Sequence, residues 1–197
     1  NNSPGVIDAV FEELTRRDAV LKPYDVYGYR ISRWWEKNAA REKGRAWIKK
    51  ILTGDADKTV KNLALVFFSN CCKKPDINLL DEYLKSDDPL HRRAAYHALG
   101  KLDRNALAAR LDEVAGDTSE LVRAVIPAVY SSENSRWIHY FDMEHIDSDS
   151  FYSSYYGYGG RYQSSTLPDG VQDTLKKLTN DSSLQVRVEA FLPFSPT

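Results

Sequence analysis

A recurrence governs what this chain can fold into. Four acidic residues are each followed six positions later by a base: Asp55…Lys61, Asp87…Arg93, Asp117…Arg123 and Asp181…Arg187. The bases stand 32, 30 and 64 residues apart. Because 64 is twice 32, one further unit, missing or disguised, is expected between the third and the fourth. Apolar positions repeat around the same anchor. Three residues before the acid stand Leu52, Leu84, Val114 and Leu178, and ten before it Ile77, Leu107 and Val171. Val60, Val122 and Val186 directly precede the base, with Arg92 as the exception, and Val66, Ala98, Ala128 and Leu192 follow five after it.

Each unit reads as two helices. The first carries apolar residues at helical spacing, as in Leu107, Leu111, Val114 or Val171, Leu175, Leu178. A polar corner with the Asp ends it. The second helix opens on capping chemistry: Asp88-Pro89, Thr118-Ser119-Glu120 and Ser182-Ser183. Such a pair cannot bury both apolar faces alone, and stacking on neighbours completes the core. The expected fold is all-α, an α-solenoid of stacked antiparallel helix pairs with an ARM-type superhelix. A single helical-repeat domain over 1–197 is expected, with basic N-terminal helices in 1–52, repeats at 45–130 and 170–192, and an irregular insertion at 131–169.

On these residues the units resemble HEAT repeats, in particular the short variety of about 30 residues found in phycobilisome-lyase-type proteins. The resemblance implies a ladder of ion pairs between neighbouring units, formed by Asp55, Lys61, Asp87, Arg93, Asp117, Arg123, Asp181 and Arg187. It also implies a surface suited to an extended protein or peptide partner.

Two segments break the pattern. Residues 5–21 read as an amphipathic helix bearing Val6, Val10, Phe11 and Leu14, and a second helix is expected from about Ile31 to Leu52. Arg33, Lys37, Arg41, Arg45 and Lys49 recur on it at four-residue steps, so five positive charges share one stripe. The stripe is the candidate anion site, with Trp34, Trp35 and Trp47 available for stacking. The alternative is a solvated helix face neutralised by the acidic half of the same protein. Residues 1–75 carry 15 bases and 9 acids, and 76–197 carry 12 and 19, so the net charge of −1 hides two opposed halves. A molecule charged in this way has no overall field that steers it to nucleic acid.

The second break, 131–169, holds Trp137 and then Tyr152, Tyr155, Tyr156, Tyr158 and Tyr162 among serines and glycines. Rigid amphipathic rings beside small adaptable residues resemble a recognition loop. These six residues are the candidate partner contacts; an insertion without a role, or an irregular repeat, is the alternative.

No catalytic, metal or cofactor site is expected. His139, Asp142, Glu144, His145, Asp147 and Asp149 lie close together but match no ligand spacing. Gly157-Tyr158-Gly159-Gly160 lacks the Lys-Ser/Thr of a phosphate loop, and no Gly-x-Ser-x-Gly elbow exists. HEAT-like iron hydroxylases carry His-Glu pairs, whereas this chain has only the reversed Glu144-His145. HEAT-like DNA glycosylases resemble it in helix pairs and tryptophans, but no catalytic carboxylate maps onto a motif here. Adjacent Cys71 and Cys72 form no disulfide framework and read as reduced thiols. No apolar run approaches a membrane span. Cytoplasm is the default compartment. The chain opens at Asn1 rather than Met, which leaves room for a leader or an upstream domain, and for this being the helical tail of a larger enzyme. A non-enzymatic protein-binding scaffold is the expected function, with nucleic-acid or anion binding as the alternative.

Overall fold

The computed structural model describes residues 38–130 and 167–191, with the side chains of 38–40 outside that set, and Glu12, which is helical. Among the described residues there are helices and turns and no strand, the α-solenoid class. The chain divides into two compact units, residues 1–107 and 108–197.

In the first unit, α1 (Asn38–Thr53) packs on α2 (Lys58–Cys71), and α2 packs on α4 (Pro89–Leu102). Between α2 and α4 the chain makes a 3-10 segment, Lys74–Leu80, that runs into the single turn α3 (Asp81–Leu84). α1 buries Trp47, Ile48, Ile51 and Leu52, the 3- and 4-residue steps of one face. α2 starts where the Asp57 carboxylate accepts the Thr59 N–H, and α4 where Asp88 accepts the Leu90 N–H ahead of Pro89. Pro89 costs nothing there because a first-turn N–H has no partner within the helix. From Arg93 to Gly100 every residue of α4 is buried. Lys74 pairs with Asp103, whose carboxylate also accepts the Ala106 N–H and so opens α5 (Arg104–Ala108).

In the second unit, α6 (Leu111–Ala115) is followed by the turn α7 (Glu120–Arg123), which passes through Ala124 into α8 (Val125–Tyr130). The break has a cause. Pro127 has no N–H to offer the Arg123 carbonyl, and its ring crowds that position. α9 (Val171–Leu178) and α10 (Leu184–Phe191) pack on each other and on α8. Gly170 opens α9 at φ 78°, in the left-handed region that favours glycine.

The base of the repeat has a definite task, and it fixes the register. Arg123 donates through Nη1 to the Asp117 and Thr118 carbonyls, and Arg187 donates to those of Asp181 and Ser182. Each arginine thereby ties the helix it sits on to the corner before it. In the second repeat the same clamp, onto the carbonyls of Ser86 and Asp87, is made by Arg92 and not by the expected Arg93. The acid position agrees. Asp117 and Asp181 accept the N–H two residues on, and in the second repeat Ser86 Oγ does so. The second repeat is therefore one residue out of the register read from sequence. Correcting it makes the bases Lys61, Arg92 and Arg123 equally spaced, 31 residues apart. Three bonds confirm the interval by joining residues 31 apart: Arg45 to Asp76, Lys73 to Glu42, and the Tyr83 hydroxyl to the Leu52 carbonyl.

Candidate functional site

The corrected register exposes what sets the second repeat apart. Its first-helix core positions become Asp76, Leu80 and Tyr83, matching Leu107, Leu111, Val114 and Val171, Leu175, Leu178; all nine are buried. A carboxylate thus occupies an aliphatic position. His91 likewise stands where the other repeats have Val60, Val122 and Val186.

Asp76 is only 3% exposed, and four donors surround it. Arg45 forks onto both oxygens, with Nε at 2.7 Å and Nη2 at 2.8 Å. Lys49 Nζ lies 2.8 Å from Oδ1, and the Lys73 N–H donates to Oδ2 at 2.9 Å. The Arg45 hydrogen bonds, followed by those of Lys49 and the Lys73 N–H, hold this carboxyl far below the usual range against the opposing effect of burial. Arg45 is raised in turn by the same carboxylate. Asp76 therefore stitches α1 to the corner after α2.

This answers part of the anion-site expectation. Of the basic stripe, Arg33 and Lys37 lie outside the described residues. Arg41 is exposed on α1, whereas Arg45 and Lys49 are turned onto Asp76. The neutralising partner comes from the first residue of the acidic half. Sequence reasoning missed Asp76 because the shifted register put Ile77 in its place.

Cys71 and Cys72 are free thiols at the end of α2 beside this clamp. Burial, and then the Asp76 charge, pushes Cys72 up to about 12, although Arg45 and Lys49 oppose it; burial also raises Cys71. Both stay protonated at neutral pH and are poor nucleophiles.

Two histidines fill core positions of α4. His91 Nε2 lies 2.8 Å from the Lys58 carbonyl, and its ring meets Tyr83 edge-on at 5.7 Å. His97 is driven down to about 3 by burial first and then by the charges of Lys101 and Arg93, so it is neutral.

The second unit carries its charge at a junction between repeats. Arg123 forks onto Asp181, with Nε at 2.7 Å and Nη2 at 2.8 Å, and both residues are partly buried. Asp181 is lowered chiefly by this contact, and Arg123 is raised by it. This is the one rung of the expected ladder that the described residues form as foreseen. Among them Asp55 and Lys61 make no ion pair, and Asp87 offers its carbonyl to Arg92. The Arg123–Asp181 contact joins the third and fourth repeats, between which a unit is expected to be missing or disguised. The helix pairs on either side of residues 131–166 touch directly, α8 packing on α9 and on α10. Trp137, Tyr152, Tyr155, Tyr156, Tyr158 and Tyr162, together with the histidines and acids near 139–149, lie outside the described residues.

Among the described residues no group of three or more His, Cys, Asp or Glu is placed to hold a metal ion, and no helix is long and apolar enough to cross a membrane.

Helix pairs at a fixed interval, three of them clamped by an arginine on its own corner and neighbours joined by ion pairs, define a helical-repeat protein. Residues 45–129 match the family model of HEAT repeats, and that stretch belongs to the HEAT-repeat family. No curated protein and no solved structure gives a match to the chain.

Proposed function

We propose that the protein is a non-enzymatic binding scaffold whose HEAT stack presents the Tyr-rich segment to another protein or peptide. HEAT repeats are commonly protein-interaction scaffolds. One observation carries the finer reading, the direct Arg123–Asp181 clamp across a sequence gap of 58 residues. The repeats that flank residues 131–166 meet each other directly at this clamp. The Tyr, Ser and Gly content of the segment suits recognition, and Tyr152, Tyr155, Tyr156, Tyr158, Tyr162 and Trp137 are the contacts assigned to it.

The charges of the described site speak for the same reading. Asp76, Asp181 and Asp103 are each engaged by a base within the stack. Arg45 and Lys49 are occupied in the same way, which weakens the alternative of an anion site along α1.

The test is excision of residues 148–165, followed by affinity purification and a melting curve. The melting temperature is expected to stay within a few degrees of the parent while bound proteins are lost. Retention of every bound protein would overturn the assignment. Binding of mixed DNA or RNA at low salt, abolished by reversing Arg41 to Glu, would favour the alternative.

A further inference from the structure

The first helix of the second repeat has a backbone that its side-chain pattern does not call for. Asp76, Leu80, Tyr83 and Leu84 are buried at steps of four, three and one, the stripe of an α-helix. The matching residues of the later repeats lie on α-helix: Leu107 on α5, Leu111 and Val114 on α6, and Val171, Leu175 and Leu178 on α9. Lys74–Leu80, however, is 3-10 for seven residues before α3 takes the α-form. Runs of 3-10 beyond three or four residues are uncommon, because side chains three apart eclipse and the hydrogen bonds are poorer. Composition offers no cause. Pro75 is the one helix breaker of the segment, and it stands in the first turn, where an α-helix accepts proline.

The clamp is what sets this segment apart. Asp76 lies in its first turn, and Arg45 and Lys49 reach onto the carboxylate from α1. A 3-10 helix rises about 2.0 Å per residue against about 1.5 Å in an α-helix, so Lys74–Leu80 spans about 3 Å more than it would in the α-form. The extra length lets Asp76 meet α1 while Leu80 and Tyr83 keep their buried places and the Tyr83 hydroxyl donates to the Leu52 carbonyl.

We infer that the clamp is a latch that sets the helix type: with Arg45 and Lys49 on Asp76 the segment is 3-10, and with the carboxylate released residues 74–84 form one shorter α-helix. The shortening is taken up at the end less firmly held. Leu80, Tyr83 and Leu84 are buried, whereas Lys74 is exposed and is held by its pair with Asp103. The Lys74 end therefore moves, and the pair that precedes α5 opens with it. In this way the latch couples α1 to the start of the next repeat. Solvent reaches it through Lys49, whose side chain is 43% exposed, while Asp76 is enclosed.

Nuclear magnetic resonance on the isotopically labelled full chain tests this. In the parent, contacts between Hα of one residue and the N–H two further on are expected across 74–80, the mark of 3-10 geometry. In the double variant Arg45→Leu with Asp76→Leu, contacts to the N–H four further on are expected to replace them across 74–84. The Asp103 carboxyl should then titrate at higher pH, because Lys74 is the chief cause of its lowering. Lys49→Gln removes one exposed donor, leaves the Arg45 fork in place and is expected to move the same resonances part of the way. A double variant that keeps the 3-10 contacts overturns the inference. So does a Lys49→Gln chain whose resonances over 74–80 match those of the parent, which decides the matter if the double variant does not fold. Binding of a foreign protein by the Tyr-rich segment is independent of each of these outcomes.

Discussion

The two units hold their first-helix columns together by opposite means. In the second unit Leu111 and Val114 face a neighbouring repeat carrying Val171, Leu175 and Leu178, and the charged pair Arg123–Asp181 sits at the corner. In the first unit the charge lies inside the column itself, with Asp76 occupying the aliphatic place and Arg45 and Lys49 reaching onto it. The aliphatic arrangement draws on burial, at roughly 1.5 to 3 kcal/mol per large side chain. The ionic one must first overcome desolvation, and removing a single partner strands the others. The difference teaches that a HEAT column can be rebuilt around a carboxylate, provided that every lone pair finds a donor and the clamp supplies register.

The largest effect is expected from breaking that clamp. Asp76→Ala should cost about 3 to 5 kcal/mol, the range for stripping one partner from a buried pair, read by chemical denaturation. The double variant Arg45→Leu with Asp76→Leu converts the column to the second unit's chemistry and should recover most of the loss. A double variant as unstable as Asp76→Ala would show that the carboxylate does more than fill and pair.

Acid should separate the units next. His97 is lowered in the fold, so below the ordinary histidine value the unfolded chain binds the extra proton and stability falls with pH from about 6.5 toward 3, approaching about 1.4 kcal/mol per pH unit. Asp76 is lowered too, and its contribution is present above the unfolded carboxylate value of about 3.9 and lost as pH falls below it. Among the described residues the second unit has the lowered Asp181 alone, so they should hold until about pH 4. Hydrogen exchange on peptides from each unit at stepped pH would show protection failing first in the first unit. Simultaneous failure, or a His97→Val variant that fails at the same pH as the parent, would refute the separation.

A smaller loss is expected at the second unit's corner. Arg123→Ala removes the fork onto Asp181 and the bonds to two carbonyls, and should cost about 2 to 3 kcal/mol. Tyr83→Phe deletes only the hydroxyl bond to Leu52, and about 1 kcal/mol is expected. If the order of these two were reversed, the corner would matter less to the stack than the column.

Most of the fold was legible because several independent columns recur together, and helical spacing alone identifies Leu107, Leu111, Val114 or Val171, Leu175, Leu178 as core. The second repeat was misread for a physical reason. Asp87-Asp88 and Arg92-Arg93 are doublets, and charge pattern cannot tell which member meets the corner; only the hydrogen bonds of Arg92 do. That one-residue slip hid Asp76 and His91, the two features that distinguish the repeat. A spacing of 64 says only that a unit is missing or disguised; that the flanking pairs meet through Arg123 and Asp181 is visible only in the side-chain geometry.

The meeting of Arg123 and Asp181 also bears on how this chain tolerates change. Closing a loop grows costlier only with the logarithm of its length, about 0.6 kcal/mol for each doubling. With the helices that flank residues 131–166 joined by one fork of hydrogen bonds, insertions and deletions between them are expected to cost the stack little. Length there is close to a free variable, and relatives of this chain can differ most where the stack is tied most firmly.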